Sequence, residues 1–60
     1  MFVELNDRSY LNTDRVTKIK IVEVQDGIRI RFYDGAVQIA KSQKFESIEA
    51  ARIWIQKNMK

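Results

Sequence analysis

The 60-residue chain has no cysteine, no histidine, no proline and only two glycines. Without cysteine there is no disulfide, and without cysteine or histidine a thiolate- or imidazole-based zinc site has no ligands. The side chains most often used for proton transfer and nucleophilic attack are missing with them, so catalysis would fall to the eight carboxylates. A chain this short is expected to form a single compact domain, residues 1–60. It buries only about 60% of the surface it exposes when unfolded, which makes its core marginal and makes regular packing or a partner chain useful. Long apolar runs are also missing. The segment Met1-Phe2-Val3-Glu4-Leu5-Asn6-Asp7-Arg8 matches neither a secretory signal nor a membrane span, which sets the expectation of a cytoplasmic protein with no membrane partner.

What is present is an ordinary globular composition, 45% hydrophobic, with 11 basic and 8 acidic residues and a net charge of +3. The charge is unevenly placed: residues 1–30 carry five basic and five acidic side chains, and residues 31–60 carry six and three. This excess permits attraction to polyanions but falls short of the dense basic stripe of a dedicated duplex-DNA binder.

Turn formers and β-branched runs predict an α+β fold, an antiparallel β-meander of four or five strands followed by one C-terminal helix packed on one face. Phe2 to Leu5 reads as a short strand, Asn6-Asp7-Arg8-Ser9 as a turn, and Tyr10-Leu11 as the returning strand of a first hairpin. Asn12-Thr13-Asp14 forms a second turn cluster before a long strand over Val16 to Val24. Ile28-Arg29-Ile30-Arg31-Phe32-Tyr33 alternates with period two, placing the isoleucines and Phe32 on one face and the arginines and Tyr33 on the other.

The two glycines suggest where the registers are set. A two-residue loop at Asp34-Gly35 would pair Phe32 with Val37 and Ile30 with Ile39, matching apolar faces. A three-residue loop Gln25-Asp26-Gly27, with the glycine left-handed, would pair Val24 with Ile28, Val22 with Ile30 and Glu23 with Arg29. That register leaves Ile19 and Ile21 on the outer face, unless a bulge near Ile21-Val22 turns the strand over. Beyond Phe45, Ser47 is the expected N-cap of a helix over about Ile48 to Asn58, with Glu49 in its first turn. Its apolar side holds Ile48, Ala50, Ala51, Trp54, Ile55 and Met59, and Ile53 falls on the polar side.

No motif of catalysis or cofactor binding emerges. Asp26 and Asp34 precede glycines in turns, and no calcium loop or phosphate-cradling G-x-x-x-x-G-K is present. A fold of this size is also expected to lack an enclosed pocket of about 300 Å³ or more. The sequence therefore points away from an enzyme and names no cofactor and no metal.

Two surfaces remain. On the outer sheet face, Arg29, Arg31, Tyr33 and Gln38 cluster, with Lys18 or Lys20 joining from the next strand. Cations interleaved with an aromatic can hold phosphates and stack an unpaired base. The plainer alternative is a solvated face, favoured by Glu23 as the expected neighbour of Arg29. The second surface is self-association through Ile19, Ile21 and Ile53, which a small core makes useful.

The spacing of Leu5-Asn6, Tyr10-Leu11-Asn12, Val16, Ile19, Ile28, Ile30, Phe32, Asp34-Gly35 and Glu46-Ser47 resembles that of the short flagellar-associated FlbD/SwrD-like proteins. The resemblance implies a meander-plus-helix topology over nearly the whole chain. Lys41, Lys44 and the helical segment Ala50-Ala51-Arg52-Ile53-Trp54 lie outside the pattern, and no function is carried over from it. The expectation from sequence is a non-enzymatic adaptor or regulator acting through protein–protein contacts as a homodimer. Its alternative is a binder of single-stranded nucleic acid through the basic outer sheet face.

Overall fold

The first apolar run forms its expected strand in the computed structural model, which describes residues 1–6 and 8–59, and the flanking Asn6 and Ser9, expected in the turn, extend the two strands. Asp7, with its expected part in the first turn, and Lys60 lie outside the described residues. Strand β1 (Phe2–Asn6) pairs antiparallel with β2 (Ser9–Asn12), with Val3 opposite Leu11 and Glu4 opposite Tyr10. The register shifts between Glu4 and Asn6, and Arg8 takes a left-handed φ of 72° in the turn. Leu5 and Leu11 are buried while Phe2 and Tyr10 are exposed, so the hairpin has one apolar face inward and one aromatic face outward. A 3-10 turn over Thr13–Arg15 follows. The Asn12 side chain caps it by accepting from the Asp14 backbone N–H, and the Thr13 N–H donates to the Met1 carbonyl at 2.8 Å.

Strands β3 (Lys18–Val24), β4 (Gly27–Asp34) and β5 (Val37–Lys41) form a second antiparallel sheet in the order β3-β4-β5. The fold is thus α+β with five strands in two antiparallel sheets and one C-terminal helix.

Both expected registers are corrected. Val24 pairs with Gly27, so the β3–β4 loop is Gln25-Asp26, and the left-handed residue is Asp26 at φ 64°. Aspartate tolerates that conformation better than most residues, which releases Gly27 for another purpose. A Cβ on Gly27 would lie 3.2 Å from the Phe45 carbonyl oxygen, so this position is small to let the 44–45 segment approach. The one-residue slip from the expected pairing turns β3 over relative to β4. Ile19 faces Phe32, Ile21 faces Ile30, and Val22 rather than Glu23 faces Arg29. No bulge or outer cover is needed for the two isoleucines.

The β4–β5 loop is Gly35-Ala36, closed by Asp34 opposite Val37. Gly35 has φ 63° and Ala36 does not share the positive φ, as in a hairpin turn whose first central residue must be left-handed. Thr17, just before β3, secures this turn: its hydroxyl accepts the Gly35 N–H at 2.7 Å, and its N–H donates to the Tyr33 carbonyl. The register then shifts between Phe32 and Tyr33, leaving Ile39 as the extra residue of a bulge and placing Ala40 opposite Phe32. Val37 and Ile39 are therefore not the inner-face partners of Phe32 and Ile30 and remain exposed.

After Lys41 the chain leaves the ladder and returns at Phe45, which exchanges two backbone hydrogen bonds with Ile28. Ser42 fills the gap. Its N–H donates to the Ile30 carbonyl at 2.8 Å, its hydroxyl accepts the Ile30 N–H at 2.9 Å, and the same hydroxyl donates to the Gln43 carbonyl. A serine side chain thus stands where a regular ladder would use a backbone carbonyl, and this buried polar group is fully satisfied.

Helix α1 (Ile48–Asn58) has the expected bounds, and the Ser47 hydroxyl accepts the Ala50 N–H at 3.1 Å. It packs on the inner face of the three-stranded sheet. The core joins Leu5, Leu11, Ile28, Ile30, Phe32 and Ala51, flanked by Val16, Ile19, Ile21, Phe45, Trp54, Ile55 and Met59. The Trp54 ring lies 6.0 Å from Phe32 and 6.4 Å from Phe45, tilted to both, within the range of favourable aromatic pairs. Complete burial of Phe32 and Ile30 contributes about 1.5–3 kcal/mol each, a large share for so small a core. No helix among the described residues is long and apolar enough to cross a membrane.

Candidate nucleic-acid interface

Because Ile28, Ile30 and Phe32 point into the core, the intervening Arg29, Arg31 and Tyr33 occupy the opposite face of β4. The observed register arranges their neighbours into three cross-strand rows. Lys18, Tyr33 and Gln38 form one, Lys20, Arg31 and Lys41 the next, and Val22 and Arg29 the third. Successive rows are two residues apart along the strands, roughly 6.6–6.8 Å. All six residues expected on this face are brought together, with both Lys18 and Lys20 taking part.

Glu23 does not belong to the face. It lies opposite Ile28, so the carboxylate expected beside Arg29 is replaced by Val22. Asp34, beyond Tyr33, is engaged by Arg15 at 3.5 Å. Among the described residues none of Lys18, Lys20, Arg29, Arg31 and Lys41 forms an ion pair. The three rows therefore hold five cations and no carboxylate.

The cations differ in how firmly they are held. Arg29 is half-buried and donates to the Ser42 carbonyl at 2.6 Å, which ties it to the detour after β5 and commits part of its guanidinium. Arg31 is also half-buried, whereas Lys18, Lys20 and Lys41 are exposed. The Lys18 ammonium sits 4.7 Å from the Tyr33 ring centroid in a cation–π contact, worth about 0.5–1 kcal/mol at an exposed site. A stacking base would have to displace it or use the other side of the ring.

Lys41 was missed as a member of this face by sequence reasoning. Its signal was position: one residue past Ala40 in an alternating strand, it falls beside Arg31 only when the β5 bulge is included. Of the expected self-association residues, Ile19 and Ile21 are half-buried and pack against the core, so they do not lie on an outer surface. Ile53 is 48% exposed, on the polar side of α1 where the helical spacing put it.

The hollow that the fold forms is not an enclosed pocket. A hollow of about 670 Å³, open to solvent, lies between the start of β3 and the end of α1, lined by Met1, Asp14, Val16, Lys18, Lys57 and Met59 among others. Its one carboxylate, Asp14, pairs with the Met1 amino group at 3.2 Å. No family model, curated protein or solved structure matches the chain.

Proposed function

We propose that this protein is a non-enzymatic binding module whose outer sheet face holds single-stranded nucleic acid. The observation that carries the proposal is the set of five cations, without a carboxylate, ordered in register around Tyr33. The expected Glu23–Arg29 pair was one of two reasons to regard this face as merely solvated, beside the ordinary polarity of a sheet's uncovered side, and the observed register removes that pair. Phosphate contacts from the cations supply affinity independent of sequence, and a base stacked on Tyr33 adds about 1–3 kcal/mol. A three-stranded sheet face with one aromatic suits an unpaired, flexible strand better than a duplex, whose bases are already stacked.

Fluorescence-anisotropy titration with a labelled oligothymidylate at two salt concentrations tests this. Binding is expected to weaken as salt rises, with a log–log slope of about −0.7 per neutralised phosphate, and to weaken further in Arg31→Ala. Absence of binding at low salt would refute it, and equal salt-sensitive capture by anionic lipid vesicles in place of the oligonucleotide would reassign the face to a membrane surface.

A second reading, contact with another protein or a second copy of this chain, is favoured by exposed apolar groups outside the three basic rows. Phe2 and Tyr10 are 68% and 64% exposed on the outward side of the first hairpin, and Ile53 is exposed on the helix. With Ile19 and Ile21 in the core, this second surface has less to recommend it than the sequence suggested.

A further inference from the structure

We infer that the central row, Lys20, Arg31 and Lys41, is an anion site in its own right, which takes a backbone phosphate without reading a base and whose occupation stabilises the sheet. The identity of the occupant rests on the single-strand proposal above. Arg31 lies on the middle strand with a cation directly opposite on each side, Lys20 on β3 and Lys41 on β5. Residues so paired have Cβ atoms about 4.5–5.5 Å apart, and like charges directly opposite are destabilising.

Among the described residues no carboxylate forms an ion pair with this row. The adjoining rows contribute Lys18 on one side and Arg29 on the other, Glu23 faces Ile28, and Asp34 pairs with Arg15. A face selected only for solubility would intersperse both signs. Three like charges in line are instead what a phosphate group would neutralise. The guanidinium of the half-buried Arg31 offers a planar fork to two phosphate oxygens, and the ammonium groups of the exposed Lys20 and Lys41 act as movable point charges beside it. The row has no aromatic. Base contact belongs to Tyr33 in the adjoining row, so the two functions are separable by substitution.

The row makes an unusual sign prediction: removing its lysine charges should raise the stability of the free protein while lowering its affinity. Thermal melts of the full chain at low ionic strength, with tripolyphosphate or with sodium chloride matched in ionic strength, read both effects. Tripolyphosphate at roughly ten times its Kd is expected to raise the wild-type Tm by about 5–10 °C beyond the chloride control. The double variant Lys20→Gln/Lys41→Gln should melt above the wild type without ligand, lose most of the tripolyphosphate gain, and bind oligothymidylate at least roughly tenfold more weakly at low salt. Tyr33→Leu should keep the tripolyphosphate gain.

A tripolyphosphate gain no larger than that of chloride, or one as large in the double variant as in the wild type, would overturn the inference. The two proposals fail separately. Oligothymidylate binding that is weakened by Tyr33→Leu but unchanged in the double variant leaves the single-strand proposal standing and removes the anion row. A row-dependent tripolyphosphate gain, with oligothymidylate bound no better than tripolyphosphate and indifferent to Tyr33→Leu, supports the anion row and removes the single-strand proposal.

Discussion

Ser42→Ala should be one of the most damaging near-isosteric substitutions in the molecule. Ser42 is 1% exposed and Ile30 is fully buried, and the Ile30 N–H has the serine hydroxyl as its acceptor at 2.9 Å. Alanine fills almost the same volume, so the cavity contribution is small and the loss is one of hydrogen bonding. An orphaned buried N–H costs about 1–3 kcal/mol, and the hydroxyl bond to the Gln43 carbonyl is lost with it. A total of about 2–3 kcal/mol is expected, against a whole stability of roughly 3–9 kcal/mol for 60 residues. In a domain of this size that lowers Tm by about 10–20 °C. Urea unfolding followed by the fluorescence of Trp54 gives the change as a shifted midpoint at constant slope. Amide exchange at Ile30 should accelerate together with it. The exposed Ser9→Ala serves as control and should stay within about 0.5 kcal/mol of wild type. If Ser42→Ala also stays within that margin, the hydroxyl is not what satisfies Ile30 and the account of the detour after β5 is wrong.

The two glycines should respond differently to substitution. Gly35 is left-handed with open space around its Cβ position, so Gly35→Ala should cost about 1 kcal/mol and Gly35→Asn noticeably less, whereas Gly27→Ala and Gly27→Asn both press on the Phe45 carbonyl; denaturation midpoints of the four variants check the pattern. Self-association should appear in sedimentation velocity as a concentration-dependent dimer that Ile53→Asp weakens, and a strictly monomeric wild type removes the second copy from that reading. Ile19→Asp is no test of it, because it would place a carboxylate against the core beside Phe32.

The alternation of Ile28 to Tyr33 and the capped helix after Ser47 were legible because each rests on a local rule: period two in one case, a hydroxyl accepting an early N–H in the other. The registers were not: the first turned on which residue of Asp26-Gly27 took the left-handed conformation, and the second on the place of Gly35 in its turn and the bulge at Ile39. Asp26 took that conformation beside a glycine that was needed for a close approach from Phe45, a contact 18 positions away that no local pattern encodes. The same one-residue slip decided the candidate site. It moved Ile19 and Ile21 inward, removed Glu23 from the basic face and aligned both lysines with Tyr33 and Arg31. The alternation already placed these residue types on one face, and the pairing of strands then removed Glu23 from it and added Lys41.

The bulge at Ile39 has a bearing on solubility. Strand β5 is an outer strand of its sheet, and it leaves Val37 and Ile39 in water. A flat apolar border of that kind would template the addition of strands from neighbouring molecules, the first step towards fibrils. The extra residue breaks the hydrogen-bonding rhythm midway along β5, and Lys41 adds a charge at its end, so an incoming strand finds no long run of evenly spaced partners. The bulge and Lys41 together are thus expected to make this border with its two aliphatic side chains a poor template for a further strand.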